Sequence, residues 1–492
     1  MDDPRRTERW VLAATILGSS LTFIDATVVN VSLPALQRSL GASVVDVQWV
    51  VEAYALALAS LLLVGGALGD RVGRRRAYAA GIVVFALASS ACGLAQTIRQ
   101  LVVARAVQGV GAALLVPGSL AIISASFPER ERGRAIGTWS AFTGVATALG
   151  PLVGGWLIEH VSWRAAFFVN LPVATAVLGM LLWRVPESRD PDAVDALDVP
   201  GAVLVAAGLG GIVYALVESS RLGWRDARLA GALAGGVMAL LAFVVVEART
   251  RSPMVPLALF RSRTFAGANV LTLLLYGGLA SLFFFLPMDL IQVHGYSATA
   301  AGAAGLPFIV TMSLLSRWSG GLIDRVGPRM PLVAGPLVVA LGYALFALPG
   351  TGGRYWTTFF PAMLVLGLGM AVSVAPLTTT VMNAVDARHA GTASGINNAV
   401  SRIGGLLAIA LMSVLVLRVF DRELDRRVMT VGIRRALAGE RMTLAVADAF
   451  VAGFRRMTVV AAGLACLSAL TAAAMIGGRD RRRRPGAGAR SP

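Results

Sequence analysis

Apolar runs of about twenty residues recur from one end of this 492-residue chain to the other. Each is long enough, as a helix rising about 1.5 Å per residue, to cross the roughly 30 Å hydrocarbon core of a bilayer. A segment in hydrocarbon must satisfy its own backbone hydrogen bonds, so such runs dictate helices. The short alternating segments of an outer-membrane barrel are absent. Charge agrees: only 14% of residues are charged and 56% are hydrophobic, against about 25% charged for a soluble domain.

The expected spans are roughly 10–33, 48–69, 77–96, 101–126, 136–157, 164–184, 199–218, 228–247, 265–290, 299–323, 331–349, 357–382, 393–417 and 457–477, an all-α integral membrane protein of about 14 transmembrane helices. The first run is too long for a signal-peptide core and lacks a small-residue cleavage site, so it is read as a retained helix. Residues 418–456 are read as a long outer loop with surface helices, from Phe420, Leu424, Met429, Ile433 and Leu437. The basic tail 479–492 is read as disordered.

Every one of the 44 basic residues is Arg. Without Lys there is no Walker A phosphate loop and no Schiff-base chemistry. His160, His294 and His389 lack metal-ligand spacing, and Cys92 and Cys466 lie inside apolar runs. No metal, cofactor or disulfide is implied. The net charge of +17 comes from short Arg clusters between spans, which indicates anionic lipid headgroups rather than nucleic acid. With the N-terminus inside, the inner segments hold about 25 Arg and the short outer loops about 7, while the long 418–456 segment, which escapes the rule by its length, holds about 9 more. That asymmetry places both termini in the cytoplasm, in an inner membrane.

One segment occurs twice. Gly66-Ala-Leu-Gly-Asp70-Arg71-Val-Gly73-Arg-Arg75 returns as Gly320-Gly-Leu-Ile-Asp324-Arg325-Val-Gly327-Pro-Arg329, eight spans later. The offset divides the chain into a six-helix half (1–190), two inserted helices with a linker (191–262) and a second six-helix half (263–478). A parallel repeat of this kind puts the binding site between the halves near the bilayer midplane.

Further motifs accompany it: Leu101-Val-Val-Ala-Arg105-Ala-Val-Gln108-Gly109, Gly144-Val-Ala-Thr-Ala-Leu-Gly150-Pro151-Leu-Val-Gly154-Gly155, and Ile24-Asp25-Ala-Thr27-Val-Val-Asn30 with Gln48-Trp49-Val-Val-Glu52-Ala-Tyr54. Together they resemble the major facilitator superfamily, in its fourteen-helix drug:proton antiporter branch, over about residues 10–477. The resemblance implies a major facilitator fold working by alternating access, with a proton gradient driving export of hydrophobic small molecules, drugs or antibiotics. It implies a cytoplasmic gate at Gly66, Asp70, Arg71 and Gly73, matched by Asp324 and Arg325. It implies proton handling by Asp25 and Arg105, and an antiporter packing motif at Gly144, Gly150, Pro151, Gly154 and Gly155.

Each residue has a plainer reading. The Asp70 loop is also a topogenic Arg cluster, and Arg105 could snorkel toward a helix end or form a fixed pair with Asp25. The glycines also serve ordinary helix packing. Glu52 and Asp289 lie toward outer helix ends. In the cavity, with Tyr54 and Arg402, they would draw cationic substrates; at the membrane surface they would do little. The expected partners are a small hydrophobic substrate, cations among them, protons and membrane lipid, with accessory proteins unknown. A metabolite or lipid exporter or flippase stays open as an alternative. A nutrient importer and an integral membrane enzyme are disfavoured, the latter because no His, Cys or paired-acid cluster is seen.

Overall fold

The computed structural model describes residues 4–189, 197–250, 253–352, 354–386, 389–431 and 439–477. The basic tail 479–492 and the residues from 432 to 438 lie outside them. Among the described residues, fourteen helices are long and apolar enough to span a membrane. We number them α1 (Thr7–Leu40), α2 (Val44–Val72), α3 (Arg74–Leu94), α4 (Ile98–Ser126), α5 (Arg130–His160), α6 (Ala165–Arg184) and α7 (Val199–Leu222). The second seven are α8 (Ala227–Arg249), α9 (Arg263–Val293), α10 (Ala298–Ser316), α11 (Arg329–Phe346), α12 (Phe360–Asn383), α13 (Ala390–Arg426) and α14 (Leu444–Met475).

Side-chain caps fix where several begin. Ser43 with Asp46 and Thr97 with Gln100 form reciprocal capping boxes at the starts of α2 and α4, satisfying backbone N–H groups that a helix start leaves open. Asp198, Ser262 and Ser297 cap α7, α9 and α10.

The packing is a repeat. In the first half α4 packs on α2 and α3, α6 on α3, and both α5 and α6 on α1. The second half repeats this eight helices later: α12 packs on α10 and α11, α14 on α11, and both α13 and α14 on α9. The two halves meet along α2 with α13 and along α5 with α10, pairs that exchange under the same relation. The duplicated loops share a backbone device, since Gly73 and Gly327 both have positive φ, +122° and +77°, where a Cβ would be strained.

The inserted hairpin α7–α8 lies against the seam. Leu209, Val213 and Val217 of α7 pack with Leu406 and Ala410 of α13. Trp49 Nε1 donates to Glu218 at 2.7 Å, and Arg221 pairs with Asp46 at 2.6 Å. α8 touches chiefly α7 and leaves Met238, Leu241 and Val244 exposed, as a lipid-facing helix does.

Residues 418–456 differ from the expectation. They are not separate surface helices: the helix containing α13 runs unbroken from Ala390 to Val431, and the one containing α14 starts at Gly439. At 42 residues the former is about 63 Å long, twice the hydrocarbon thickness. Phe420, Leu424 and Met429 continue the helix of α13, whereas Ile433 and Leu437 lie outside the described residues.

We call the side carrying the N-terminal end of α1 and the C-terminal end of α14 the near face, and the opposite side the far face. At the far face the halves are in contact. A Cβ at Gly155 of α5 would overlap the Ala298 carbonyl of α10, and one at Gly302 of α10 would overlap the Pro151 carbonyl. Glu159 accepts from the Thr299 hydroxyl at 2.5 Å, and Gln292 donates to Gln37 at 2.8 Å. Toward the near face, α5 is unpacked at Gly133, Gly137 and Gly144, where nothing lies within 4 Å of an added Cβ. The halves are therefore closed at the far face and part along α5 toward the near one.

Candidate functional site

Five helices of the first half bring polar side chains to one buried point. Asp25 of α1 and Arg105 of α4 are each 1% exposed. Arg105 Nη1 donates to Asp25 Oδ2 at 2.5 Å and to Gln108 Oε1 at 2.8 Å. Gln108 Nε2 donates to the other Asp25 oxygen at 2.8 Å. Asn170 of α6 donates to that oxygen at 3.3 Å and to Ser89 Oγ of α3 at 3.0 Å. Arg105 Nε reaches the Val50 carbonyl of α2 at 3.1 Å, and its guanidinium lies 4.2 Å over the Tyr54 ring.

This excludes the snorkelling reading of Arg105, because the side chain turns into the bundle. Two opposite charges buried together and bridged by hydrogen bonds form a stable arrangement, whereas removal of one partner leaves a buried charge costing several kcal/mol. Among these side chains Asp25 is the one carboxylate and Arg105 the permanent cation. The motif quoted for α4 already contained Gln108. Asn170 and Ser89 were missed, and the one available signal was an Asn inside the apolar run Phe167-Phe-Val-Asn170-Leu-Pro.

At the near face the repeated loop is tied to the segment after α6. Asp70 pairs across the loop with Arg74 at 2.8 Å, while Arg71 is exposed. Glu187 accepts from the Arg75 backbone N–H at 3.0 Å and pairs with Arg75 and Arg76 at 3.8 and 3.6 Å. The Arg74 N–H donates to the Ser188 carbonyl at 2.9 Å. Gly66 sits against Pro117 of α4. Arg325 is exposed in the second copy, and the Asp324 side chain lies outside the described set.

The Gly150–Gly155 motif works in two directions. Gly150 and Gly154 seat α5 on Thr27 and Val28 of α1, and Gly155 seats it on α10 of the other half. Gly144 faces open space.

The remaining acids are not at a membrane surface. Glu52 is 0% exposed, and its carboxyl lies beside the buried Gln48 amide one turn earlier. It shares the α2 face of Trp49 and Leu56, which pack in the cluster with α7 and α13. Asp289 is 2% exposed, in a single π-turn (Asp289–Val293), with Oδ2 3.5 Å from His294 Nδ1. Both carboxyls are closed off in this state, Asp289 within a single π-turn of the second half. No group of three His, Cys, Asp or Glu among the described residues is arranged to hold a metal.

A family model described as Major Facilitator Superfamily matches residues 15–409. The chain belongs to that superfamily. Relatives within it include the tetracenomycin C resistance and export protein of Streptomyces glaucescens, 36% identical over 87% of this chain and 80% of its own length. The puromycin resistance protein pur8 of Streptomyces alboniger is 39% identical over 84% of this chain and 82% of its own. The multidrug resistance protein Stp of Mycobacterium tuberculosis is 37% identical over 83% and 75%. Among solved structures, the peptide-transporter-family protein PepTSo aligns with a TM-score of 0.67 at 14% identity, covering 96% of this chain and 99% of that one. An inward-facing bacterial homologue of the lysosomal transporter Spinster aligns at 0.64 and 20% identity, covering 96% and 97%. These likenesses support the fold alone, a major facilitator architecture.

Proposed function

We propose that this superfamily member exports small-molecule drugs or antibiotics across the cytoplasmic membrane in exchange for protons, by alternating access between its halves. The observation that carries the proton part is the Asp25–Arg105–Gln108–Asn170 cluster: a carboxylate sealed within one half, held by a permanent cation and neutral donors. Protonation of Asp25 frees the guanidinium and the amides from one another, and so gives that half a second stable arrangement. Deprotonation restores the first. Relatives named for resistance to, or export of, tetracenomycin C, puromycin and cephamycin support outward drug transport.

The near face is assigned to the cytoplasm on the arginine asymmetry, which makes the parted state inward-facing. Closing it requires the near ends of α5 and α10 to approach while the Gly155–Gly302 contact opens. The loop held by Asp70, Arg74 and Glu187 lies where that closure latches.

The test is drug accumulation in a sensitive strain expressing the chain, with and without a protonophore. Lower accumulation that the protonophore abolishes is the expected result. Accumulation unaffected by the protein, or lowered equally when the gradient has collapsed, overturns the reading.

A further inference from the structure

Arg402 stands twelve residues into α13, about 18 Å along the helix from its near end. That depth costs about 2.5–3.5 kcal/mol on insertion scales and more in lipid, so an Arg there normally has a partner or faces water. Among the described residues it has no partner: no side chain or carbonyl hydrogen-bonds or ion-pairs with it. Lipid is an unsuitable surrounding for another reason. Arg402 is half-buried and one turn beyond the exposed Asn398, with Ser394 a turn before that, so this face of α13 is a polar stripe inside a membrane span. Asn397, off that stripe, is committed to Asn269 and Thr272 of α9 at 3.1 and 2.7 Å. Gly395, on the same face, lies against Leu63 of α2, so the stripe runs where the two halves face each other.

Ala399, a turn before Arg402, packs in one cluster with Tyr54 of α2, and Gly405, a turn after it, seats on Ala280 of α9, one turn beyond Tyr276. Tyr54 is 4% exposed, and its hydroxyl has no hydrogen-bond partner among the described residues. A buried hydroxyl left unpaired costs about 1–3 kcal/mol, so the position is one that an incoming acceptor would satisfy. The other charges nearby are committed or covered. Asp25 is held by Arg105, whose guanidinium is stacked on the Tyr54 ring, and Glu52 is fully buried.

We propose that Arg402 and the Tyr54 hydroxyl form an anion-accepting site between the halves, and that the preferred cargo carries a carboxylate or a comparable small anionic group on an apolar body. This reverses the cationic preference expected from Glu52 and Asp289. It rests on the efflux reading only in naming the bound species as cargo. A guanidinium presents a planar fork that matches a carboxylate with two parallel hydrogen bonds, and the phenol supplies a third donor.

The experiment uses the full-length chain with Cys92→Ser, Cys466→Ala and Asn398→Cys, purified and reconstituted with both faces accessible. The first arm compares labelling rates with 2-sulfonatoethyl and 2-(trimethylammonio)ethyl methanethiosulfonate. We expect the anionic reagent to be favoured about tenfold relative to the ratio seen after Arg402→Gln; an unchanged ratio overturns the proposal. The second arm uses uncharged methyl methanethiosulfonate and asks whether millimolar 2-naphthoate or 2-naphthylmethylammonium protects the thiol introduced at position 398. Protection by naphthoate of at least threefold, lost in Arg402→Gln and weakened in Tyr54→Phe, is expected. Equal protection by both compounds, or none by naphthoate, overturns it. Neither arm requires transport, so failure of the accumulation assay would remove the efflux reading without touching this one.

Discussion

At the scale of single residues, membrane burial makes charged groups expensive and therefore pairs them. Arg105 spends its Nε on a carbonyl, one Nη on both Asp25 and Gln108, and its face on Tyr54. Lysine keeps the charge but cannot make this fork. Arg105→Lys is expected to insert at normal levels and lose gradient-driven export by at least about tenfold, measured in energised inside-out vesicles. Wild-type rates would show that charge alone suffices. Glu52 is the opposite case, a buried carboxyl whose polar neighbour is the neutral Gln48 amide rather than a cation. Replacing an uncompensated buried acid relieves a cost, so Glu52→Gln is expected to raise the thermal-unfolding midpoint of the purified protein. A lower midpoint would reveal a partner formed by Glu52 in the folded chain. The sequence made Asp25, Arg105 and Gln108 readable because charge and amide inside an apolar run stand out against it. It could not show which way Glu52 and Asp289 point. Helices that are apolar nearly all round carry no amphipathic phase, and Asp289 is closed off within a single π-turn of the second half.

Elements follow from bilayer thickness and from small residues where helices must touch. Most span limits were legible to within a few residues, because length and caps are both written locally. The ends of α13 and α14 were not, since polar helix continuing into water looks like polar loop in an apolar-run reading. The Gly155 contact gives a test at this scale. Gly155→Val places a branched side chain against the Ala298 carbonyl, which prevents far-face closure; export is expected to fall at least about tenfold with normal membrane abundance. Gly144→Ala faces open space in the present state and is expected to leave the thermal midpoint of the purified protein unchanged. Equal destabilisation by the two would argue for general helix packing rather than a specific contact between halves. The near-face ties of Glu187 are half-exposed, and ion pairs of that kind contribute about 0–1 kcal/mol. Glu187→Gln should therefore change export by no more than a few-fold.

The whole molecule is two copies of a six-helix unit with a lipid-facing hairpin against their seam. The repeat was visible in one ten-residue segment, and the structure extends it to every principal helix contact. What the repeat does not carry is the buried polar cluster, which is confined to one copy: Asp25, Arg105 and Asn170 all lie in the first half. The arginine asymmetry sets a prediction for the assembly in its membrane. With cysteines at 225, between α7 and α8, and at 261, before α9, an impermeant maleimide applied to intact cells should label 225 and spare 261. Labelling of 261 alone would invert the orientation, and with it the direction of transport.

The central claim is that protons drive export through Asp25. The most direct measurement is proton movement in proteoliposomes enclosing a pH-sensitive dye, with an imposed drug gradient and no other energy source. The account predicts that a drug gradient drives protons the opposite way in the unmodified protein, and that Asp25→Asn abolishes this flux. Undiminished drug-driven proton flux in Asp25→Asn would contradict it.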